Sequence, residues 1–141
     1  MKIRINVWIS FKGHRETGLS GEKFPYDALC PSDNVNRRFN DEQDVYDELL
    51  KLYDIAKVKG FNLGEALYTQ ALFFTDLNLL ISPKIQQRIK EYLFCKTFNC
   101  SPVNSFQDAD ADAIDDYMII DEEYKLCERN QNSKENKGRR H

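Results

Sequence analysis

The segment from Asp41 to Leu72 constrains the fold more than any other part of the chain. In its first half apolar residues recur at helical spacing with charged residues between them, which predicts an amphipathic helix over about residues 41–59. Gly60 favours the left-handed conformation that ends a helix. Asn62 then supplies an N-cap, with Glu65 three residues later. A second helix over about residues 62–80 is therefore expected to fold back on the first.

Two more helices are predicted further along the chain. Ser82 followed by Pro83 is typical of a helix start, and the apolar spacing that follows predicts a third helix over about residues 83–96. Ser105 and Asp108 form a capping box that predicts a fourth helix over about residues 105–127. Residues 128–141 contain no apolar side chain, so we expect them to form a disordered basic tail.

The N-terminal residues alternate in polarity, which predicts a β-strand over residues 2–11. One face of this strand would be apolar, formed by Ile3, Ile5, Val7, Ile9 and Phe11. Glycines and prolines punctuate residues 12–40, where we expect a long ordered loop. The expected fold class is α+β and predominantly helical: an N-terminal β-strand followed by three or four packed helices, in a single globular domain of residues 1–127. Because a lone strand leaves backbone groups unpaired, a homodimer formed through it is a reasonable hypothesis.

Composition and charge narrow the function classes. The 141 residues are 41% hydrophobic, which suits a packed core. The net charge of -3 gives no overall basic field to attract nucleic acid phosphates. No apolar run approaches the roughly 20 residues of a membrane span, and the N-terminus lacks the unbroken apolar core of a signal peptide. We therefore expect a cytoplasmic protein without membrane contact.

The four cysteines permit two interpretations. Without a signal peptide, reduced thiols are favoured over disulfides. The alternative is a zinc site built on Cys95 and Cys100, which are the only two that lie close in sequence. Such a site would need Cys30 and Cys127 to arrive from remote segments to complete four ligands.

An acidic face is expected on the fourth predicted helix, and it is either an ordinary solvated surface or a candidate surface for binding a partner. Its spacing resembles the opening of an EF-hand calcium loop, but Ala113 stands where that loop needs glycine and Ile119 where it needs glutamate. A metal-dependent hydrolase using these carboxylates remains an alternative, as does a surface that mimics nucleic acid phosphates. The carboxylates are Asp108, Asp110, Asp112, Asp115 and Asp116.

Residue types suited to catalysis are sparse. His14 and His141 are the only histidines, and neither lies beside a plausible serine or cysteine nucleophile in the sequence. The glycines around residues 18–21 lack the Lys-Ser/Thr that a phosphate-binding loop requires. We expect a protein that is not an enzyme, with no catalytic residues, no bound metal and no cofactor.

The stretch AKVKGFNLGEALYTQAL, residues 56–72, resembles the helix-turn-helix core of ribbon-helix-helix proteins, the Arc-like repressors and antitoxins. The resemblance covers roughly residues 35–72. In that family a strand before the first helix pairs with the same strand of a second chain, and the resulting ribbon reads the major groove of DNA. The resemblance implies that residues 35–39 are that strand, with Asn36 and Arg38 facing bases and Arg37 facing the core.

Two function hypotheses follow from these patterns. The first is a non-enzymatic binding or adaptor protein that acts through protein contacts, such as a small regulatory or assembly factor with an unidentified protein partner. The alternative is a dimeric DNA-binding transcriptional regulator of ribbon-helix-helix type, which would bind DNA with a steep dependence on salt.

Overall fold

The computed structural model describes residues 1–13, 23–102, 105, 107 and 110–139. This part of the chain forms five α-helices, one short 3-10 helix and a two-stranded antiparallel sheet, which confirms an α+β fold that is predominantly helical. In chain order the elements are α1 (Lys2–Lys12), β1 (Tyr26–Cys30), β2 (Val35–Phe39), α2 (Glu42–Lys59), α3 (Leu63–Phe74), the 3-10 helix (Leu77–Leu80), α4 (Pro83–Phe98) and α5 (Ala111–Arg139).

The N-terminal segment is helix α1, so the prediction of a strand over residues 2–11 was wrong. Residues 5–9 are all buried, because α1 is central and contacts α3, α4 and α5. The strand prediction placed Arg4, Asn6 and Trp8 together on one face of a strand. Arg4, Asn6 and Trp8 instead hydrogen-bond to other elements. A helix pairs its own backbone groups, which removes the unpaired strand edge on which the homodimer hypothesis depended.

The two strands lie where an ordered loop was expected, and they pair with each other. Tyr26 is opposite Phe39 at one end of the ladder, and Cys30 is opposite Val35 at the other. Phe39 stacks between the rings of Tyr26 and Phe74, with centroid separations of 5.2 and 5.6 Å. These ring contacts pack the β-hairpin against α3.

Helix α2 closely follows the prediction because its caps are local. The Asp41 side chain accepts a hydrogen bond from the Asp44 amide at 3.1 Å and starts the helix. Gly60 ends it with φ 71° and ψ 23°, in the left-handed region.

Helix α3 is shorter than predicted. It ends at Phe74, and the Asp76 side chain then accepts from the Asn78 amide at 3.0 Å to open the separate 3-10 helix. Asn62 occupies the N-cap position of α3, but its side chain makes no capping hydrogen bond. Glu65, the other half of the predicted capping box, accepts a hydrogen bond from Asn130 at 2.8 Å instead.

Helix α4 begins as the sequence predicts. The Ser82 hydroxyl accepts from the Ile85 amide at 3.4 Å, and Pro83 stands in the first turn. The helix continues two residues beyond the predicted end, to Phe98, and Asn99 takes the left-handed conformation after it.

Helix α5 differs from the prediction at both ends. It begins at Ala111. The preceding residue, Asp110, accepts a hydrogen bond at its backbone carbonyl from the Ile114 amide at 3.1 Å. It continues to Arg139, so the prediction of a disordered tail from residue 128 was wrong over residues 128–139; residues 140 and 141 lie outside the described residues. Glu, Lys, Gln and Arg favour helix, and Asn130 anchors the extension by accepting from Lys12 at 3.2 Å.

One cluster of buried apolar side chains receives residues from every helix and both strands named above. Trp8, Phe74 and Ile5 are among its largest fully buried members. Within residues 1–13, 23–102 and 110–139, no helix combines the length and the apolarity that a membrane span requires.

Candidate functional site

The carboxylates of the predicted acidic face have different surroundings at the start of α5. Asp108 lies outside the described residues. The Asp110 side chain accepts from the Asp112 amide at 3.2 Å, so these two residues support the helix start. Asp115 is exposed.

The fifth of these carboxylates, that of Asp116, joins α5 to α4 through an ion pair of 3.3 Å with the Arg88 guanidinium. Asp110 and Asp116 therefore interact within the chain, whereas Asp112 and Asp115 are exposed. Partner binding by this acidic face stays a prediction. In the part of the chain that the structure describes, no group of three or more His, Cys, Asp or Glu side chains is placed to hold a metal ion.

The four thiols occupy separate environments. Cys30 and Cys127 are buried in the core, Cys95 is half-buried and Cys100 is exposed, and all four are free thiols. Burial raises the pKa of Cys127 to about 12 and also raises the pKa of Cys30. The described residues therefore do not assemble the four-cysteine zinc site that the sequence left open.

Asn36 and Arg38 lie on the exposed face of the two-stranded sheet, and Arg38 is opposite Asp27 in the ladder. Arg37 does not face the core as the family resemblance implied. It is exposed, and its Nη1 donates to the Asp33 carboxylate at 2.9 Å. Strand β2 does directly precede α2 and α3, but its partner in the sheet is β1 of the same chain.

The surface feature that sequence reasoning missed is a groove of about 400 Å³ beside α2, α3 and the turn between the strands. We call it the α2–α3 groove. Among the described residues that line it, Lys59 is the only charged one. Its apolar lining consists of Pro31, Leu52, Ile55, Ala56, Phe61 and Ala66, and its polar lining of Ser32, Lys59 and Gln70.

The turn between α2 and α3 builds one wall of this groove. The Phe61 amide donates to the Ala56 carbonyl at 2.9 Å, and Gly60 in the left-handed conformation reverses the chain between them. This is the Schellman motif, which brings the side chains of its first and last residues together. Phe61 nevertheless remains 59% exposed, with the Lys59 ammonium 5.9 Å from its ring centroid.

The Ser32 side chain adds a polar group to the groove lining. Its backbone amide donates to the buried carboxylate of Glu48 at 3.0 Å. The Ser32 hydroxyl has no hydrogen-bond partner within the described ranges, although the oxygen is inaccessible to solvent.

One local signal for the groove was present in the sequence. A large apolar residue directly after a helix-ending glycine, here Phe61 after Gly60, is typical of the Schellman contact. What the sequence did not indicate is that Ala56 and Ala66, from two different helices, would line one groove with Phe61.

Comparison of the chain with protein-family models, with curated proteins and with solved structures found no match. Function is therefore argued from the geometry of the described surface alone.

Proposed function

We propose that this chain is a non-enzymatic binding protein, a small regulatory or assembly factor that recognises a partner protein through the α2–α3 groove. The supporting observation is the composition of the groove lining, which is apolar around a single cation, Lys59. Phe61 and Ile55 are 59% and 37% exposed at this surface. Exposed apolar surface rimmed by polar groups is typical of interaction sites.

The charge of the groove favours one kind of occupant. An amphipathic helix binds such a groove by laying its apolar face into it. Lys59 provides a positive charge at the lining, so a carboxylate on the bound segment would be stabilised there. The partner is therefore a protein segment with apolar side chains at helical spacing and an acidic residue beside them.

The proposal is tested by selecting binders from a displayed library of amphipathic peptides, with the purified chain as bait. We expect the selected peptides to be enriched in apolar residues at helical spacing and in Asp or Glu. Their dissociation constants are then measured by fluorescence anisotropy. Ala66→Arg fills the groove and should weaken binding at least about tenfold, which corresponds to about 1.4 kcal/mol.

The charge is tested by Lys59→Glu, which should weaken the binding of acidic peptides and strengthen the binding of versions with Lys in place of Asp or Glu.

The apolar wall of the groove is tested by Phe61→Ser. Phe98→Ser is its matched control, because the Phe98 and Phe61 rings are exposed to a similar degree, 66% and 59%. Only Phe61→Ser should weaken binding. Equal binding by the folded Ala66→Arg and Lys59→Glu variants would refute the groove as the recognition site.

A second candidate is a dimeric DNA-binding regulator of ribbon-helix-helix type. It is supported by Asn36 and Arg38, which are exposed on the sheet that precedes α2. Binding of labelled random-sequence duplex DNA should then fall steeply with salt and be abolished by Arg38→Ala. Arg37→Ala is the control, because that side chain is held by Asp33. Binding that is indifferent to Arg38→Ala would remove this candidate, and a monomer in light scattering would remove its dimeric form.

A further inference from the structure

Helix α4 ends in the same Schellman motif as α2, but with cysteines in the two positions that touch. Asn99 takes the left-handed conformation, with φ 54° and ψ 45°. The Cys100 amide then donates to the Cys95 carbonyl at 2.9 Å. Two apolar side chains often meet across this motif, and at the end of α2 the corresponding residues, Ala56 and Phe61, line the same groove.

The backbone hydrogen bond places the two cysteines at either end of one turn, and both line the same surface pocket. Cys95 is half-buried and Cys100 is exposed, so a reagent from solvent reaches Cys100 first. Both thiols line a surface pocket of about 460 Å³, together with Phe94 and Pro102. A small molecule therefore has room beside the pair. Burial raises the pKa of Cys95.

We propose that Cys95 and Cys100 form a site of reversible thiol–disulfide exchange whose reactants are low-molecular-weight disulfides such as oxidised glutathione. The helix-ending turn brings the two cysteines to one surface pocket before any oxidant arrives. Closing a disulfide across the turn therefore requires no rearrangement of α1, α3 or α5, which meet in the core. The site is separate from the α2–α3 groove.

The exchange balances in two steps. The Cys100 thiolate attacks one sulfur of oxidised glutathione, the glutathione disulfide bond breaks, and one glutathione thiolate leaves and takes up the proton released by Cys100. The Cys95 thiolate then attacks the sulfur of Cys100, and the second glutathione leaves and takes up the proton released by Cys95. The two cysteines lose two electrons in total, and one glutathione disulfide becomes two thiols.

A tryptic digest reports the product directly, because Lys96 lies between the two cysteines. The full-length chain is reduced, incubated with oxidised glutathione, alkylated and digested without reductant. We expect the peptides of residues 91–96 and 97–125 to remain joined. Their combined mass should be lower than the sum of the separate reduced peptides by two hydrogen atoms. Dithiothreitol added before alkylation should release both.

Single substitutions distinguish the order of the two steps. Cys95→Ser should retain one glutathione on Cys100, because the resolving thiol is gone. Cys100→Ser should lose the linked peptides. Cys30→Ser should keep them and serves as the control, with circular dichroism showing that each variant is folded. Glutathione on both cysteines without a link, a link between two chains, or no reaction under conditions that fully oxidise dithiothreitol would each overturn the proposal.

Discussion

The indole Nε1 of Trp8 donates a hydrogen bond to Oε2 of Glu123 at 2.8 Å, and both side chains are fully buried. The other carboxylate oxygen lies 2.6 Å from Nη1 of Arg4. Each oxygen of this carboxylate thus has its own donor, and both donors come from α1. Because a buried carboxylate is tolerated only when it is paired, Glu123 determines how α1 packs against α5.

Removing this carboxylate should be among the most damaging single changes in the chain. Glu123→Ala leaves the Arg4 charge and the Trp8 N–H without their partner, so we expect the free energy of unfolding to fall by about 3–5 kcal/mol. Glu123→Gln keeps an acceptor for Trp8 and should cost less. Urea denaturation monitored by fluorescence of Trp8, the only tryptophan, measures both.

Glu122 is the matched control for this prediction. Its carboxylate is also near Arg4, at 3.5 Å, but its side chain is 61% exposed. Glu122→Ala should therefore cost less than about 1 kcal/mol. If Glu122→Ala and Glu123→Ala were equally destabilising, burial of the Glu123 pair would not be the reason for its effect.

The same cluster explains why the sequence misled at α1. In the sequence, Arg4 and Trp8 fall on the face of an alternating strand opposite its apolar face. In the structure they lie one helical turn apart, on the side of α1 that meets α5. Their partner, Glu123, is more than a hundred residues away in sequence. Alternation is a local signal, and it carried no information about a buried carboxylate so far along the chain.

Elements whose ends are fixed by neighbouring residues were predicted well. Asp41 starts α2 and Gly60 ends it through contacts within one turn of the helix, and these are visible in the sequence. The α2–α3 groove was not predictable, because it depends on where α3 places Ala66 relative to Phe61 after the chain reverses. The acidic residues Asp110 and Asp116 were recognised as a group, but the pairing of Asp116 with Arg88 of α4 depends on tertiary packing.

Gly64 in the first turn of α3 should not tolerate a methyl group. A Cβ at this position would contact Oε2 of Glu123 and lie 2.5 Å from the Trp8 indole. Alanine normally stabilises a helix relative to glycine by about 1 kcal/mol. Here the overlap should reverse the sign, so we expect Gly64→Ala to lower the free energy of unfolding by about 1–3 kcal/mol.

Gly138 provides the comparison, since a Cβ there would meet nothing within 4 Å. Gly138→Ala should leave stability unchanged or raise it by up to about 1 kcal/mol. Thermal and urea denaturation of the two variants in parallel check the difference. A stabilising Gly64→Ala would mean that α3 does not approach the Trp8 and Glu123 pair as closely as the structure shows.

Asn6 joins α1 to the start of α4. Its amide nitrogen donates to the Leu80 carbonyl at 3.0 Å, and its amide oxygen accepts from the Ser82 amide and from the Gln86 side chain, each at 3.1 Å. Asn6→Leu has a similar size but leaves buried backbone groups unpaired. We expect it to lower the free energy of unfolding by about 2–4 kcal/mol in urea denaturation.

Asn130, which is only partly buried, provides the control for the Asn6→Leu substitution. The Asn130 side chain accepts a hydrogen bond from Lys12 and donates one to Glu65, but it lies at the edge of the core. Asn130→Leu should cost less than about 1 kcal/mol, because water replaces the lost partners. Similar losses for the two variants would contradict the role assigned to Asn6.

Acid should weaken the contact between α4 and α5 through Asp121. Its carboxylate accepts from Lys125 at 2.7 Å and from Tyr92 at 2.6 Å, and these hydrogen bonds lower its pKa from the usual 3.8. The unfolded chain therefore binds a proton more readily than the folded chain. The stability that Asp121 contributes is complete above the unfolded pKa and is lost as the pH falls through the folded pKa.

The contribution of Asp121 to this pH dependence is small, because its side chain is partly exposed. The Asp121 side chain is 40% exposed, so solvent screening should keep its contribution below about 1 kcal/mol. Asp121→Asn removes the titrating group, so the stability difference from the original chain should be largest near neutral pH and should shrink below about pH 4. Tyr92→Phe, which removes one donor, should show part of the same change. A stability difference that stays constant from neutral to acid pH would show that the carboxylate is not stabilised by these two donors.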